Sequence, residues 1–137
     1  MAVSLTPYFK ALAACEDPRK EIKKWCGSLT KEKILGDRVM VAVYGRPEKT
    51  AGGIYVSDNQ IQEDQYQGCV GAIVAMGPEA FEYSNGAYKW EGVKPKLWDW
   101  VLFRPADGYQ YAYRKACIRI FPCSSIMAII SDPLLYY

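Results

Sequence analysis

The chain has 137 residues, of which 50% are hydrophobic and 14% aromatic, and its formal net charge is +2. This length and composition predict one globular domain with a core of its own and exclude a disordered chain. No stretch reaches the roughly 18 apolar residues of a membrane span, and no basic region precedes an apolar one at the N-terminus, so we expect neither a membrane segment nor a secretory signal.

The chemistry open to the chain is narrow because it contains no histidine. Ser-His, Cys-His and histidine–metal arrangements are therefore impossible within one subunit. Five cysteines occur without a C-x-x-C pair, at positions 15, 26, 69, 117 and 123. This pattern argues against a disulfide framework or a zinc site and favours a reducing compartment. We predict a protein that is not an enzyme and that uses no metal and no cofactor.

Residues 1–33 are predicted to form a partly helical N-terminal arm. A first short helix is expected over 6–15. A second is expected over 18–26, because Asp17 is a good N-cap, a proline follows it at the first helical position, and Gly27 can end the helix. The arm therefore differs in character from the rest of the chain.

One face of the second predicted helix carries Ile22, Trp25 and Cys26 at positions i, i+3 and i+4. This narrow apolar face is suited to docking: it either covers the protein's own barrel or contacts a neighbouring subunit or another protein. The basic residues of the same helix are interrupted by Glu21, so we expect a solvated helix face and no nucleic-acid partner.

From residue 34 onward the pattern indicates short strands. The predicted strands cover residues 38–44, 69–76, 100–103, 109–113, 118–120 and 126–130. Apolar residues recur in them with strand-like spacing, and Gly and Pro separate them at intervals of about ten residues. Pro122 is expected to bend the chain between the last two. This pattern predicts a small all-β barrel.

A distinctive segment follows the first predicted strand. Gly52 and Gly53 can adopt backbone φ and ψ angles that other residues avoid. The apolar tripeptide Ile54, Tyr55 and Val56 comes directly after them. The next dozen residues are polar and show no period of 2 or 3.6. Loops of that length are uncommon in compact domains unless they are functional or disordered. We interpret the tripeptide as a docking element on a long mobile loop, with the start of an ordinary strand as the alternative.

A hairpin is predicted between Pro78 and Pro95. Asn85-Gly86 is the strongest short hairpin signal in the chain, and three aromatic residues flank it: Tyr83, Tyr88 and Trp90. These rings either pack onto the barrel or form a contact surface.

The order of these motifs resembles the GroES co-chaperonin family (chaperonin-10-like) over roughly residues 34–131. The resemblance is carried by a D-R-V strand beginning at Asp37, the glycine-led loop, a glycine- and valine-containing strand over 68–77, and a last strand with I-x-A-I over 126–130. It implies a GroES-like β-barrel domain over 34–131 with a mobile loop and a roof hairpin, preceded by the arm and followed by a tail over 132–137. The insert over 78–96 and the aromatic region after it, over 109–123, resemble bacteriophage-encoded members.

The resemblance also implies a function. Seven subunits would form a dome, and each would offer Ile54, Tyr55 and Val56, presented by the glycine pair, to a GroEL-like chaperonin ring. The client would be a phage capsid protein in the cytoplasm of a bacterial host. By the same resemblance, the strands over 38–44 and 126–130 would lie at the subunit boundary of a homo-oligomer.

One residue departs from the family pattern. Members usually carry V-G-D before the strand at 100–103, where this chain has Leu97-Trp98-Asp99. Tryptophan tolerates positive φ poorly, so we expect the turn to differ locally and the new ring to be buried or used.

A competing hypothesis is that the chain is a phage virion structural protein, such as a capsid decoration or connector component, that reuses the fold and binds phage capsid proteins. The arm and the aromatic C-terminal tail favour it. The intact glycine-plus-tripeptide loop favours the co-chaperonin, since a static shell protein has no evident need for it.

Overall fold

The computed structural model describes residues 6–15, 17–27, 32–44, 69–84 and 88–133. Within these ranges there are two α-helices, α1 (Thr6–Ala14) and α2 (Pro18–Cys26). The strands are β1 (Arg38–Val43), β2 (Val70–Met76), β3 (Tyr83–Ser84), β4 (Tyr88–Lys89), β5 (Trp100–Phe103), β6 (Tyr109–Tyr113), β7 (Ala116–Pro122) and β8 (Ile126–Ile130). The prediction of an all-β fold with a short helical arm is confirmed.

The second helix has the boundaries that its capping residues predict. The Asp17 side chain accepts hydrogen bonds from the backbone N–H groups of Arg19 and Lys20. At the other end Gly27 has φ +62 and donates its N–H to the carbonyl of Lys23, because glycine tolerates this conformation without steric cost. No helix in the described ranges is long and apolar enough to cross a membrane.

Six strands form one antiparallel sheet in the order β6-β7-β1-β2-β5-β8, and β3 pairs with β4 separately. Val39 lies opposite Phe121 of β7 and Met76 of β2, so β1 has a partner on each side within the same chain. The prediction that β1 lies at a subunit boundary and pairs its edge with a neighbouring subunit is therefore wrong. The outer strands of this sheet are β6 and β8.

The core extends across the sheet and includes the arm. Every residue of β1 from Val39 to Val43 is buried, as expected for a strand covered on both faces. One cluster joins this strand to Phe103 and Phe121, whose ring centroids lie 4.7 Å apart. Tyr8 of α1 belongs to the same cluster, so the arm shares the core of the barrel.

The turn before β5 contains a finding that the sequence did not predict. Trp98 adopts φ +71, a conformation that tryptophan was expected to tolerate poorly. The prediction for the ring is confirmed, since it is half-buried and lies beneath the Lys23 ammonium. The Trp98 backbone N–H donates to the carbonyl of Ile73 over 2.7 Å, which ties the turn to β2.

Candidate partner-binding site

The predicted docking residues Gly52, Gly53, Ile54, Tyr55 and Val56 lie outside the described residues. The structure does describe the two points where the chain leaves and rejoins the sheet around residues 45–68. The Tyr44 backbone N–H donates to the Val70 carbonyl over 2.8 Å. The carbonyl of Cys69 accepts from the Phe103 N–H over 2.9 Å. The described residues on either side of the segment 45–68 are therefore each bound to a neighbouring strand of one sheet.

Tyr44, the last described residue before that segment, is held by its ring as well as by its backbone. The ring is buried and meets Trp100 edge to face, with centroids 5.4 Å apart. Burial, with a smaller contribution from the charge of Asp132, raises the pKa of the Tyr44 phenol to about 12. The phenol is therefore neutral at physiological pH. The residue from which the chain enters the segment 45–68 is thus a packed part of the core.

The apolar face of α2 lies against the chain's own barrel. Ile22 and Cys26 are fully buried in the common core cluster, and Trp25 packs against that cluster while half-buried. The Trp25 ring meets Tyr8 edge to face at 5.8 Å, and its indole N–H donates to the Glu21 carboxylate over 3.1 Å. Contact of this face with a neighbouring subunit stays a prediction.

The arm also contacts the last residue of β1, which precedes the segment 45–68. The buried Tyr8 hydroxyl donates to the Val43 carbonyl oxygen over 2.8 Å. Nothing in the sequence pattern indicated this contact, because the two residues are 35 positions apart in the chain.

The hairpin predicted around Asn85-Gly86 is present in its strands: Tyr83 pairs with Lys89, and Ser84 with Tyr88. Asn85 and Gly86 themselves lie outside the described residues, and only the backbone of the flanking tyrosines is described.

Trp90, beyond the hairpin, packs on Phe81 edge to face with centroids 5.1 Å apart. Its indole N–H donates to the Val93 carbonyl over 3.2 Å. This tryptophan is therefore half-buried against its own domain.

An apolar groove of about 430 Å³ separates the hairpin region from the outer strand β8. Its lining consists of Trp90, Val93, Pro95 and the β8 residues 126–129. Three of these side chains are strongly exposed although apolar: Val93 (78%), Met127 (60%) and Ile129 (42%). Met127 and Ile129 lie in the range 126–130 that the family resemblance placed at a subunit boundary, whereas Val93 was not predicted as a site residue. The unbroken apolar run of β8 was a further signal, because a strand with one face in water would alternate.

The described residues offer little reactive chemistry. Burial raises the pKa of the Cys26 thiol to about 11 and that of Cys117 to about 12. Because the thiolate is the nucleophilic form, both thiols are unreactive near neutral pH. No cluster of potential metal ligands occurs among the described residues. The candidate site thus consists of the apolar groove beside β8 and of the two residues, Tyr44 and Cys69, that hold the segment 45–68 on the sheet.

Most of the chain is similar to proteins of one known family. Residues 31–130 match the family model described as "Chaperonin 10 Kd subunit". Co-chaperonin GroES of Tetragenococcus halophilus is 33% identical over 98 residues, which cover 72% of this chain and 97% of the relative. Co-chaperonin GroES of Lacticaseibacillus zeae is 34% identical over 101 residues, covering 71% and 97% respectively. Both arm helices precede the matched region.

Proposed function

The chain belongs to the chaperonin 10 family, and from that premise we propose that it is a non-enzymatic co-chaperonin that docks on a GroEL-like chaperonin ring through Ile54, Tyr55 and Val56. The observation that carries the proposal is the anchoring of the segment 45–68. Tyr44 and Cys69 bind neighbouring strands by backbone hydrogen bonds, so the sheet holds the residues on both sides of the segment. Gly52 and Gly53 supply the backbone freedom for the turn before the tripeptide.

The energetics of such docking are favourable but modest for one segment. Burying three medium-sized apolar side chains contributes several kcal/mol at about 25 cal/mol per Å², less the cost of ordering the segment. Several copies on one ring bind far more tightly than one, because each later contact is intramolecular. The proposed mechanism therefore requires an oligomer.

The outer strand β8 supports assembly. An outer strand that carries exposed Met127 and Ile129 beside an apolar groove is a surface that proteins normally cover. We propose that a second copy covers it, with seven subunits as the expectation from the family. The compartment proposed for this assembly is the cytoplasm of a bacterial host.

The finer assignments depend on the sequence alone. A bacteriophage-encoded type and a capsid protein as client remain proposals from the resemblance of the insert and of the aromatic region after it. The alternative of a virion component has no observation among the described contacts that favours it.

The test is nucleotide-dependent capture by an immobilised chaperonin ring, measured for wild type, Ile54→Asp and Ile61→Asp. Ile61 is the matched control because the same change is made in the same segment but outside the tripeptide. We expect Ile54→Asp to lose binding while its oligomeric state, followed by native mass spectrometry, is unchanged. Absence of wild-type binding, or equal binding by Ile54→Asp, contradicts the proposal.

A further inference from the structure

The N-terminal arm, which precedes the family match, contacts the chain at the point where the segment 45–68 begins. The Tyr8 hydroxyl is fully buried and donates to the Val43 carbonyl over 2.8 Å. The next residue, Tyr44, uses its own N–H to bind Val70 of β2. The last two described residues before the segment are therefore held from two directions, by the arm and by the sheet.

The second helix adds a parallel set of contacts. Arg19 lies over the ring of Trp100, with its guanidinium carbon 5.3 Å from the ring centroid. Lys23, one helical turn later, lies over Trp98 at 4.8 Å. Cations over tryptophan faces are attracted by the ring quadrupole, so α2 is held on the turn and on the strand β5 that follows it.

Trp100 connects this helix to the residue that follows β1, since its ring also packs against the Tyr44 ring. Contacts therefore run from Arg19 through Trp100 to Tyr44. Together with the bond from Tyr8 to Val43, they connect the arm once to each of the last two described residues before the segment.

We propose that the N-terminal arm positions the partner-binding segment: Tyr8 and Arg19 fix the backbone and the ring from which residues 45–68 depart. This inference rests on the proposed docking role of that segment. Tyr8 and Arg19 act through Val43 and Tyr44 and do not themselves touch the chaperonin.

The physical effect of such positioning is entropic. When the residues that precede a segment are fixed, the segment loses less conformational freedom on docking. The gain is repeated in every subunit of the oligomer, so a small effect per segment multiplies in the affinity of the whole ring. Loss of the arm contacts should weaken docking and leave the tripeptide itself unchanged.

The decisive variant is Tyr8→Phe, which removes one hydroxyl and keeps the ring. Tyr111→Phe is its matched control, because the Tyr111 side chain is exposed on the outer strand β6. Arg19→Gln is a second variant that removes the charge over Trp100, with exposed Arg104→Gln as its control. Phe81→Leu truncates a buried ring that takes no part in these contacts, so it lowers stability and separates a general loss of stability from loss of positioning.

Two readouts are required. Hydrogen exchange of peptides covering residues 38–44 reports the anchor directly, and we expect about tenfold faster exchange in Tyr8→Phe with no change over 126–130, since one buried hydrogen bond is lost. Affinity of the full oligomer for the chaperonin ring should fall by about tenfold or more in Tyr8→Phe and Arg19→Gln. The two control variants and Phe81→Leu should bind like wild type.

Equal exchange over 38–44 in Tyr8→Phe and wild type would overturn the inference, as would unchanged affinity of both arm variants. If wild type binds, Ile54→Asp does not, and the arm variants bind normally, the inference fails while the proposed function stands. If wild type itself does not bind the ring, the proposed function fails and the inference falls with it.

Discussion

Lys23 of α2 lies with its ammonium nitrogen 4.8 Å from the ring centroid of Trp98, whose own backbone has φ +71. A residue in the left-handed region costs on the order of 1 kcal/mol when it is not glycine. Here the side chain that causes the strain is also the contact for the arm. The ring at the position where the family resemblance led us to expect glycine is thus part of the interface between helix and barrel.

This relationship predicts different effects for two substitutions of Trp98. Trp98→Ala removes the half-buried ring and keeps the strain, whereas Trp98→Gly removes both. We expect the free energy of unfolding to be about 1 kcal/mol higher for the glycine variant than for the alanine variant. Urea denaturation measures the difference.

Ala75 provides the control for this prediction, because it lies half-buried within the extended strand β2. There Ala75→Gly should lower the free energy of unfolding by about 0.5–1 kcal/mol. A Trp98→Gly variant no more stable than Trp98→Ala would show that the turn is not strained.

The local part of this fold could be predicted from the sequence. Asp17 and Gly27 mark the ends of α2 because capping depends on residues within one turn of the helix. The strands were recognisable from apolar runs bounded by Gly and Pro. The position of β1 inside the sheet could not be predicted, because its pairing with β7 depends on residues about 80 positions away in the chain.

The sequence predicted that the candidate site would be apolar, but it did not predict which residues contact one another there. The apolar face of α2 indicated docking, but a stripe of apolar side chains does not specify what covers it. The bond from Tyr8 to Val43 and the cation over Trp98 arise only once the arm folds back on the barrel. Such contacts leave no periodicity in a sequence.

Removal of the α2 N-cap should destabilise the arm. Asp17→Ala deprives the N–H groups of Arg19 and Lys20 of their side-chain acceptor, and we expect a loss of about 1 kcal/mol in the free energy of unfolding. Asp17→Asn keeps a carbonyl oxygen in the same place and should remain within a few tenths of a kcal/mol of wild type. Thermal unfolding followed by circular dichroism at 222 nm compares them; equal stability of Asp17→Ala and Asp17→Asn would refute the cap.

A charge on the outer strand β8 should prevent assembly without unfolding the subunit. Ile129 is 42% exposed and lines the groove, so Ile129→Lys keeps its ammonium in water in the monomer but would bury it in the proposed interface. We expect a folded monomer in sedimentation velocity at micromolar concentration. Tyr111→Lys, on the opposite outer strand, is the control and should assemble normally. An Ile129→Lys oligomer of wild-type size would exclude β8 as an interface.

Stability should depend on pH in the alkaline range because of buried neutral thiols and a buried phenol. Burial raises the pKa of Cys26 from 9.0 to about 11, that of Cys117 from 9.0 to about 12, and that of Tyr44 from 10.0 to about 12. Each group releases its proton more readily in the unfolded chain, so rising pH favours unfolding.

The contribution of these groups is therefore fully present below pH 9.0 and is lost progressively as the pH rises toward 12. Each group contributes a slope of at most about 1.4 kcal/mol per pH unit between its unfolded and folded pKa values. Cys117→Ala removes one such group and should make the fall between pH 9 and 11 shallower by up to that amount. Urea denaturation at stepped pH tests this: a Cys117→Ala slope equal to that of wild type would mean that the thiol at position 117 is not held neutral by burial.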